Sequence, residues 1–294
     1  MSARLIDGKA IASDLRAATR QRALDYAERT GRMPSLAVVL VGDDPASHVY
    51  VGAKLKACAA AAIGSVERRL PASTTQAMLE QVLTALSADP DIDAILLQLP
   101  LPAGLDQARA IACIAPEKDV DGLTAVNAGR LALGEPGLRP CTPSGCIVLA
   151  ERALGDLSGA HCVILGRSIL VGKPAALLFL ERHCTVTIAH SRSRNLPDLC
   201  RSADILVPAI GKPNFVRADW IKPGACVIDV GINRIEDPAT GATRLVGDVD
   251  FAAAAQIAGA ITPVPGGVGP MTIACLMQNA VQAARNQADL TAET

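Results

Sequence analysis

Tyr50 and Lys54 stand four residues apart in DDPASHVYVGAKLKAC, residues 43–58. On a helix this spacing puts both side chains on one face. The chain has only 2 tyrosines in 294 residues, so one placed a turn from a lysine is a candidate ligand contact. A lysine amine takes a proton from water only if its charged form is destabilised. Burial does this better than a single hydrogen bond, whose net value is about 1 kcal/mol. The alternative is a lysine that stays protonated and acts as an acid or a fixed charge. Gln98, at the end of DAILLQ, can orient an amine, and Asp121, in KDVDG, can accept N–H donors when ionised. Each residue alone also has an ordinary reading: a solvated helix face, a strand-end loop partner, a turn aspartate.

A second constellation lies in HCVILGRSILVGKPAALLFL, residues 161–180, which reads as strand, glycine turn and helix. Gly166 opens the turn, Ser168 stands near the second glycine position of a dinucleotide fingerprint, and Gly172 begins the helix. Backbone N–H groups and the helix dipole there suit a phosphate. The following strand ends in AHSRSRN (189–195), without the carboxylate that holds the ribose of NAD. It offers Ser191, Arg192, Ser193 and Arg194 instead, with Arg167 in the first turn. Hydroxyls and guanidiniums suit a 2′-phosphate, so NADP is the expected cofactor. A plain turn and a solvated basic loop explain the two stretches separately; their coincidence favours the nucleotide. AIGKP (209–213) and DVGIN (229–233) end two further strands and are expected to line the same crevice.

These residues need elements to hold them. Residues 9–29 read as a helix, and SLAVVLVG (35–42) as a strand buried on both faces. Residues 46–62 are helical in pattern, and SVERRL (65–70) is a short strand. TTQAMLEQVLTALSAD (74–89) is a helix with capping threonines, and DAILLQLPLP (93–102) a strand stopped by prolines. The pattern then restarts. TPSGCIVLAERAL (142–154) reads as a helix with Thr142 as cap and Pro143 at its first position. Four apolar strands follow at 161–166, 184–189, 203–211 and 225–231, and a last helix covers about 271–286. The fold class is therefore α/β, with parallel sheets covered by helices and a break near GEPGLRPC (134–141).

Composition sets the limits. Half of the residues are hydrophobic (50%), ample for two cores. With 28 basic and 29 acidic residues there is no electrostatic footprint for nucleic acid or an anionic membrane. No apolar run is long enough to span a bilayer, and MSARLIDGKAIASDL lacks a signal peptide's apolar stretch, so a cytoplasmic protein is expected. The 9 cysteines are dispersed without a Cys-x-x-Cys pair, and the 4 histidines do not cluster with them, so neither a disulfide framework nor a metal site is expected.

The stretches DDPASHVYVGAKLKAC, LLQLPLPAG, PEKDVDG, LRPCTPSG, GRSILVGKP, GKPNFV, VIDVGIN, VGDVDF and ITPVPGGVGPMT run in order from residue 43 to 272. On them the chain closely resembles the bifunctional methylenetetrahydrofolate dehydrogenase/methenyltetrahydrofolate cyclohydrolase family. The resemblance implies an N-terminal α/β folate-binding domain over residues 1–138, completed by a C-terminal helix within 271–294. It also implies a Rossmann-like NADP-binding domain over residues 139–270. Lys54 is then the central catalytic residue, with Tyr50, Gln98 and Asp121 beside it. Leu99, Pro265, Gly266 and Gly267 are further substrate contacts. Cofactor contacts carry over to Gly166, Arg167, Ser168, Ser191 and Ile232. A homodimer and a place in one-carbon folate interconversion are implied as well. One segment departs: after VDG the family often has a phenylalanine and a histidine-proline pair, where this chain has LTAVN (123–127). Two other readings compete. One is a two-domain NADP-dependent dehydrogenase acting on a small hydroxy acid; the other is a non-catalytic nucleotide-binding protein.

Overall fold

The computed structural model describes residues 2–236 and 243–289. In chain order the strands are β1 (Arg4–Leu5), β2 (Ser35–Val41), β3 (Gly64–Leu70), β4 (Ala94–Leu97), β5 (His161–Leu165), β6 (Thr185–Ala189), β7 (Ile205–Pro208), β8 (Cys226–Val227), β9 (Asn233–Glu236), β10 (Thr243–Val246) and β11 (Ala260–Ile261). The helices are α1 (Gly8–Thr30), α2 (Pro45–Ala60), α3 (Gln76–Ala88), α4 (Gln107–Ala112), α5 (Ala125–Leu133), α6 (Cys141–Leu154), α7 (Gly172–Glu181), α8 (Leu196–Arg201), α9 (Phe251–Ala254) and α10 (Val268–Gln287). The chain divides into two compact units, one of Met1–Ala12 with Thr142–Thr272, the other of Ser13–Cys141 with Ile273–Thr294.

The unit built on Ser13–Cys141 holds a three-stranded parallel sheet in the order β3-β2-β4. Central β2 is apolar after Ser35 because both its faces are covered, and its residues from Leu36 to Val41 are buried. Helix α3 is capped by Thr75, whose side chain accepts from the Met78 N–H, and buries Leu79, Leu83 and Leu86. Those leucines share a core with Val39, Val41, Ile95 and Leu97 of the sheet. Burying one such leucine contributes about 1.5–3 kcal/mol. Below the sheet, buried Asp93 takes a two-pronged ion pair from Arg32 (2.6 and 2.7 Å) and the Ser35 N–H (2.8 Å).

The other unit has a six-stranded sheet, ordered β1-β11-β8-β7-β5-β6 and parallel at every pairing. After β5 the chain adds β6 on one side, then returns to add β7 and β8 on the other. The turn after β5 therefore sits where the strand order reverses, the usual ligand position of an open α/β sheet.

Several boundaries differ from the sequence reading. Residues 2–12 belong with the six-stranded sheet rather than with the N-terminal fold, since β1 pairs with β11 through Arg4↔Ala260. Thr142 is not a helix cap: α6 already starts at Cys141, and the Thr142 hydroxyl bonds that of Thr272 at 2.9 Å. The expected strand 225–231 shortens to Cys226–Val227: beyond it the Asp229 and Gly231 N–H groups turn to the side chains of Thr262 and Asp229, while Ile228 and Val230 still donate to the Leu206 and Pro208 carbonyls. The antiparallel pair β9/β10 has no counterpart in the all-parallel expectation. Helix α10 starts at Val268, three residues early, with Gly269 and Pro270 in its first turn, where a missing proline N–H costs nothing. Residues 290–294 of the expected C-terminal helix lie outside the described residues.

Candidate active site

Helix α2 carries Tyr50 and Lys54. Asp44 starts it, its carboxylate accepting from the Ser47 N–H (2.8 Å) and hydroxyl (2.7 Å). Tyr50 is 51% exposed, while Lys54 is half-buried. The Lys54 ammonium donates to Gln98 Oε1 at 2.8 Å. Gln98 is buried, and its Nε2 donates to the Leu99 carbonyl at 2.6 Å. That second bond fixes the amide so that its oxygen faces the lysine. The backbone N–H of Gln98 donates to the Val39 carbonyl at 2.8 Å, so sheet geometry sets the position of the side chain.

Asp121 follows a tightly held loop. The buried Asp119 carboxylate accepts from the Thr124 N–H (2.8 Å) and Asn127 Nδ2 (3.0 Å). Gly122 has φ +63°, and a Cβ there would lie 2.8 Å from the Pro140 nitrogen. Asn279 of α10 donates from Nδ2 to the Val120 and Arg139 carbonyls, both at 2.8 Å. The Cys141 thiol also donates to the Val120 carbonyl, at 3.2 Å. Asp121 itself is partly accessible. Desolvation pushes its carboxyl above the ordinary range, the nearby positive charge of Lys54 pulls it back, and Asp119 pushes it up again. Burial also raises the Cys141 thiol well above its ordinary value, with the Asp121 charge acting in the same direction. An apolar crevice formed by Ile95, Leu97, Leu99, Ile111, Ile114 and Leu123 abuts Asp119 and Asp121. The departing segment LTAVN supports this loop directly, since Thr124 caps α5 and Asn127 tethers Asp119.

The structure brings together Lys54, Gln98, Leu99 and Asp121 in one unit, with Tyr50 one turn along from Lys54. A fixed acceptor on one side of the ammonium and a titratable carboxyl group nearby make a site able to hold and pass a proton.

In the other unit, Gly166 follows β5 with φ +138°, and a Cβ there would collide with the Ala209 carbonyl. At Gly172 a Cβ would lie 2.6 Å from the Gly166 carbonyl carbon. The Ser168 hydroxyl accepts from the Val171 N–H (3.1 Å) and the Gly172 N–H (3.4 Å), drawing the turn onto α7. A pocket of about 390 Å³ opens here, lined by Gly166, Arg167, Ser168, Ser191, Lys212 and Phe215 among others. Arg167, Ser191, Arg192 and Arg194 are exposed, whereas Ser193 is used to close the loop, accepting from the His190 N–H at 3.0 Å. The three guanidiniums form no ion pair among the described residues. The glycine cradle, the free guanidiniums and the lack of a carboxylate after β6 fit a dinucleotide bearing a 2′-phosphate. Ile232, 50% exposed, lines a second crevice of about 150 Å³ with Pro265, Gly266 and Gly267. The structure therefore places those three loop residues beside Ile232, in the unit of the glycine turn and not in that of Lys54.

Residues 6–121 match the model of the tetrahydrofolate dehydrogenase/cyclohydrolase catalytic domain, and residues 140–288 match that family's NAD(P)-binding domain. The chain belongs to the tetrahydrofolate dehydrogenase/cyclohydrolase family. It is 61% identical over 286 residues to the bifunctional protein FolD of Maricaulis maris, covering 97% of this chain and 96% of that protein. It is 62% identical over 287 residues to FolD of Hyphomonas neptunium, again covering 97% and 96%. Among solved structures, the bifunctional FolD dehydrogenase/cyclohydrolase of Campylobacter jejuni superposes with a TM-score of 0.93 at 40% identity, covering 97% of this chain and 100% of that one. The Trypanosoma brucei enzyme, solved with NADP cofactor and an inhibitor, gives 0.92 at 38% identity, covering 98% and 99%.

The sequence reading missed four groups that shape this family member's sites: Asp119, Cys141, Asn279 and Asp248. Asp119, Cys141 and Asp248 lie inside the stretches PEKDVDG, LRPCTPSG and VGDVDF, where the reading gave them no role of their own. The usable signal was polarity in an apolar setting, as in the VGDVD run that carries Asp248. Among the described residues there is no group of three or more His, Cys, Asp or Glu able to hold a metal, and no helix long and apolar enough to cross a membrane.

Proposed function

We propose that this chain oxidises 5,10-methylenetetrahydrofolate to the methenyl form with NADP⁺ and hydrolyses that product to 10-formyltetrahydrofolate, with Lys54 handling the protons. The observation that carries the role of Lys54 is its 2.8 Å bond to an oriented Gln98, within electrostatic reach of Asp121. We assign folate to the unit of Lys54 and the cofactor to the unit of Gly166, Arg167, Ser168, Ser191 and Ile232. The NADP named for the Trypanosoma brucei relative supports that cofactor choice.

Bound NADP⁺ supplies the hydride acceptor. No proton has to leave in that step, so the chain's contribution is orientation. Asp121 anchors the donor-rich edge of the pterin, and Tyr50 packs on the aminobenzoyl ring. The methenyl product is a cation. Hydrolysis then adds water to the methenyl carbon. Of the two water protons one is released and one ends on the ring nitrogen whose bond breaks. Lys54 takes one proton as water adds and returns it to that nitrogen, and the hydroxyl proton leaves as the formyl C=O forms, while Gln98 holds the amine in line.

The family resemblance also supports a homodimer in the cytoplasm, and β6, an edge strand with Ile188 43% exposed, is available for an interface. Sedimentation equilibrium checks the dimer. The activity is checked by supplying methylenetetrahydrofolate and NADP⁺ and following nicotinamide reduction and the decay of methenyl absorbance. Turnover of a small hydroxy acid in place of the folate, or NADP binding with no turnover, would contradict the proposal.

A further inference from the structure

Asp248 is fully buried, and its carboxylate gathers four donors. Oδ2 accepts from the Ile210 N–H (2.6 Å) and the Gly211 N–H (3.0 Å). Oδ1 accepts from the Lys212 N–H (2.9 Å) and Asn233 Nδ2 (2.9 Å). Three successive backbone N–H groups of the loop after β7 thus converge on one anion, an arrangement normally met around a bound phosphate. Ile210 and Lys212 from this loop line the pocket beside Gly166 and Ser191, and Asn233 directly follows Ile232.

A second buried carboxylate holds Asp248 in turn. Asp229 accepts from the Gly231 N–H (2.9 Å), the Asp248 N–H (3.0 Å) and the Val249 N–H (3.0 Å). Room for both is made by glycine: a Cβ at Gly231 would collide with the Asp248 carboxylate, and one at Gly247 with that of Asp229. Neither aspartate forms an ion pair among the described residues. Two buried carboxylates without a cation are a poor way to gain stability alone, since an apolar pair of the same volume avoids their desolvation. What they do provide is a fixed spacing between the loop at 210–212 and the loop at 231–233, each of which carries residues of a cofactor crevice.

We propose that Asp248 is a positioning residue for the cofactor: it touches no ligand but locks both loops at the separation that NADP⁺ requires. This rests on the cofactor assignment above. Replacing the carboxylate by an amide, Asp248→Asn, keeps the volume and swaps one acceptor oxygen for an N–H₂ donor facing backbone donors. Hydrogen bonds to a charged group are among the stronger ones, so the loop at 210–212 is released.

The test is NADP⁺ titration by calorimetry, alongside steady-state kinetics of both activities. Cyclohydrolase turnover of added methenyltetrahydrofolate needs no NADP⁺ and serves as the control for an intact chain. Asp248→Asn is expected to weaken NADP⁺ binding and raise KM for NADP⁺ at least about ten-fold, or about 1.4 kcal/mol. Its kcat at saturating NADP⁺, its folate KM and its cyclohydrolase rate should stay within about two-fold of wild type, a split that general destabilisation does not produce. An Asp248→Asn protein that keeps cyclohydrolase activity and binds NADP⁺ as tightly as wild type overturns the inference. If that variant fails to fold, Asn233→Ala, which removes one of the four donors, decides: the inference requires a rise in KM for NADP⁺ of about three-fold, and no rise overturns it. Wild-type protein that does not bind NADP⁺ at all would overturn the cofactor assignment itself, a different and distinguishable failure.

Discussion

The Lys54 ammonium donates to the Gln98 side-chain carbonyl at 2.8 Å while the other end of that amide is fixed on the Leu99 carbonyl at 2.6 Å. The lysine is thus aimed by a residue that is aimed by its own backbone. Gln98→Ala removes both bonds and leaves the amine free to rotate. Hydrolysis of methenyltetrahydrofolate should fall at least about ten-fold in kcat, the worth of one hydrogen bond to a charged group. Stopped-flow loss of methenyl absorbance measures it. An unchanged kcat would mean that Gln98 does not orient the amine.

Asp121 is expected to act in binding rather than in proton transfer. Asp121→Asn should raise KM for the folate about ten- to a hundred-fold, because a carboxylate that accepts from N–H donors becomes an amide able to accept at one atom only. Burial holds this carboxyl above the usual range. As pH falls it gains its proton, and loses its acceptor character, earlier than an exposed aspartate does. The acid limb of kcat/KM should therefore lie at higher pH than for an ordinary carboxylate, and Asp121→Asn should remove it. A limb that survives the substitution belongs to another group.

Cofactor choice should turn on the loop after β6. Ser191→Asp puts a carboxylate where a ribose hydroxyl would be bound and a 2′-phosphate repelled. KM for NADP⁺ should rise about ten-fold or more while KM for NAD⁺ falls. Parallel kinetics with the two cofactors checks this, and an unaltered ratio would place the 2′-phosphate elsewhere.

Asp229 makes stability depend on pH in an unusual direction. Burial pushes its carboxyl from 3.8 up to about 7, against the pull of its three backbone N–H donors. Between those limits the folded chain holds a proton that the unfolded chain has released. This group therefore favours folding below about pH 4 and loses that contribution as pH rises through about 7. Thermal melts across this window should show the difference between wild type and Asp229→Asn growing with acidity. A constant difference would mean that Asp229 is already ionised throughout.

The sequence disclosed what a short pattern can encode. SLAVVLV declares a strand buried on both faces, the i, i+4 spacing puts Tyr50 and Lys54 on one helix face, and Gly166 marks a turn that no other residue fits. It did not disclose residues whose partners are distant in the chain. Asn279 reaches the carbonyl of Val120 across 159 positions, and Asp248 collects N–H groups 36 to 38 residues away. Alternation and propensity carry no information about such pairings. The same limit explains the placement of residues 2–12, since a two-residue strand has almost no signature beyond the neighbour it pairs with.

The central claim is that the Lys54 amine moves the protons of hydrolysis and has no covalent or proton-transfer duty in hydride transfer. Rates of both half-reactions should be measured on one preparation of Lys54→Gln, with substrate KM values to show that the site still binds. Cyclohydrolase should drop at least about a hundred-fold, in the range that loss of a general base produces, while NADP⁺ reduction keeps a substantial part of its rate. Equal loss of both activities, or a surviving cyclohydrolase, would contradict it.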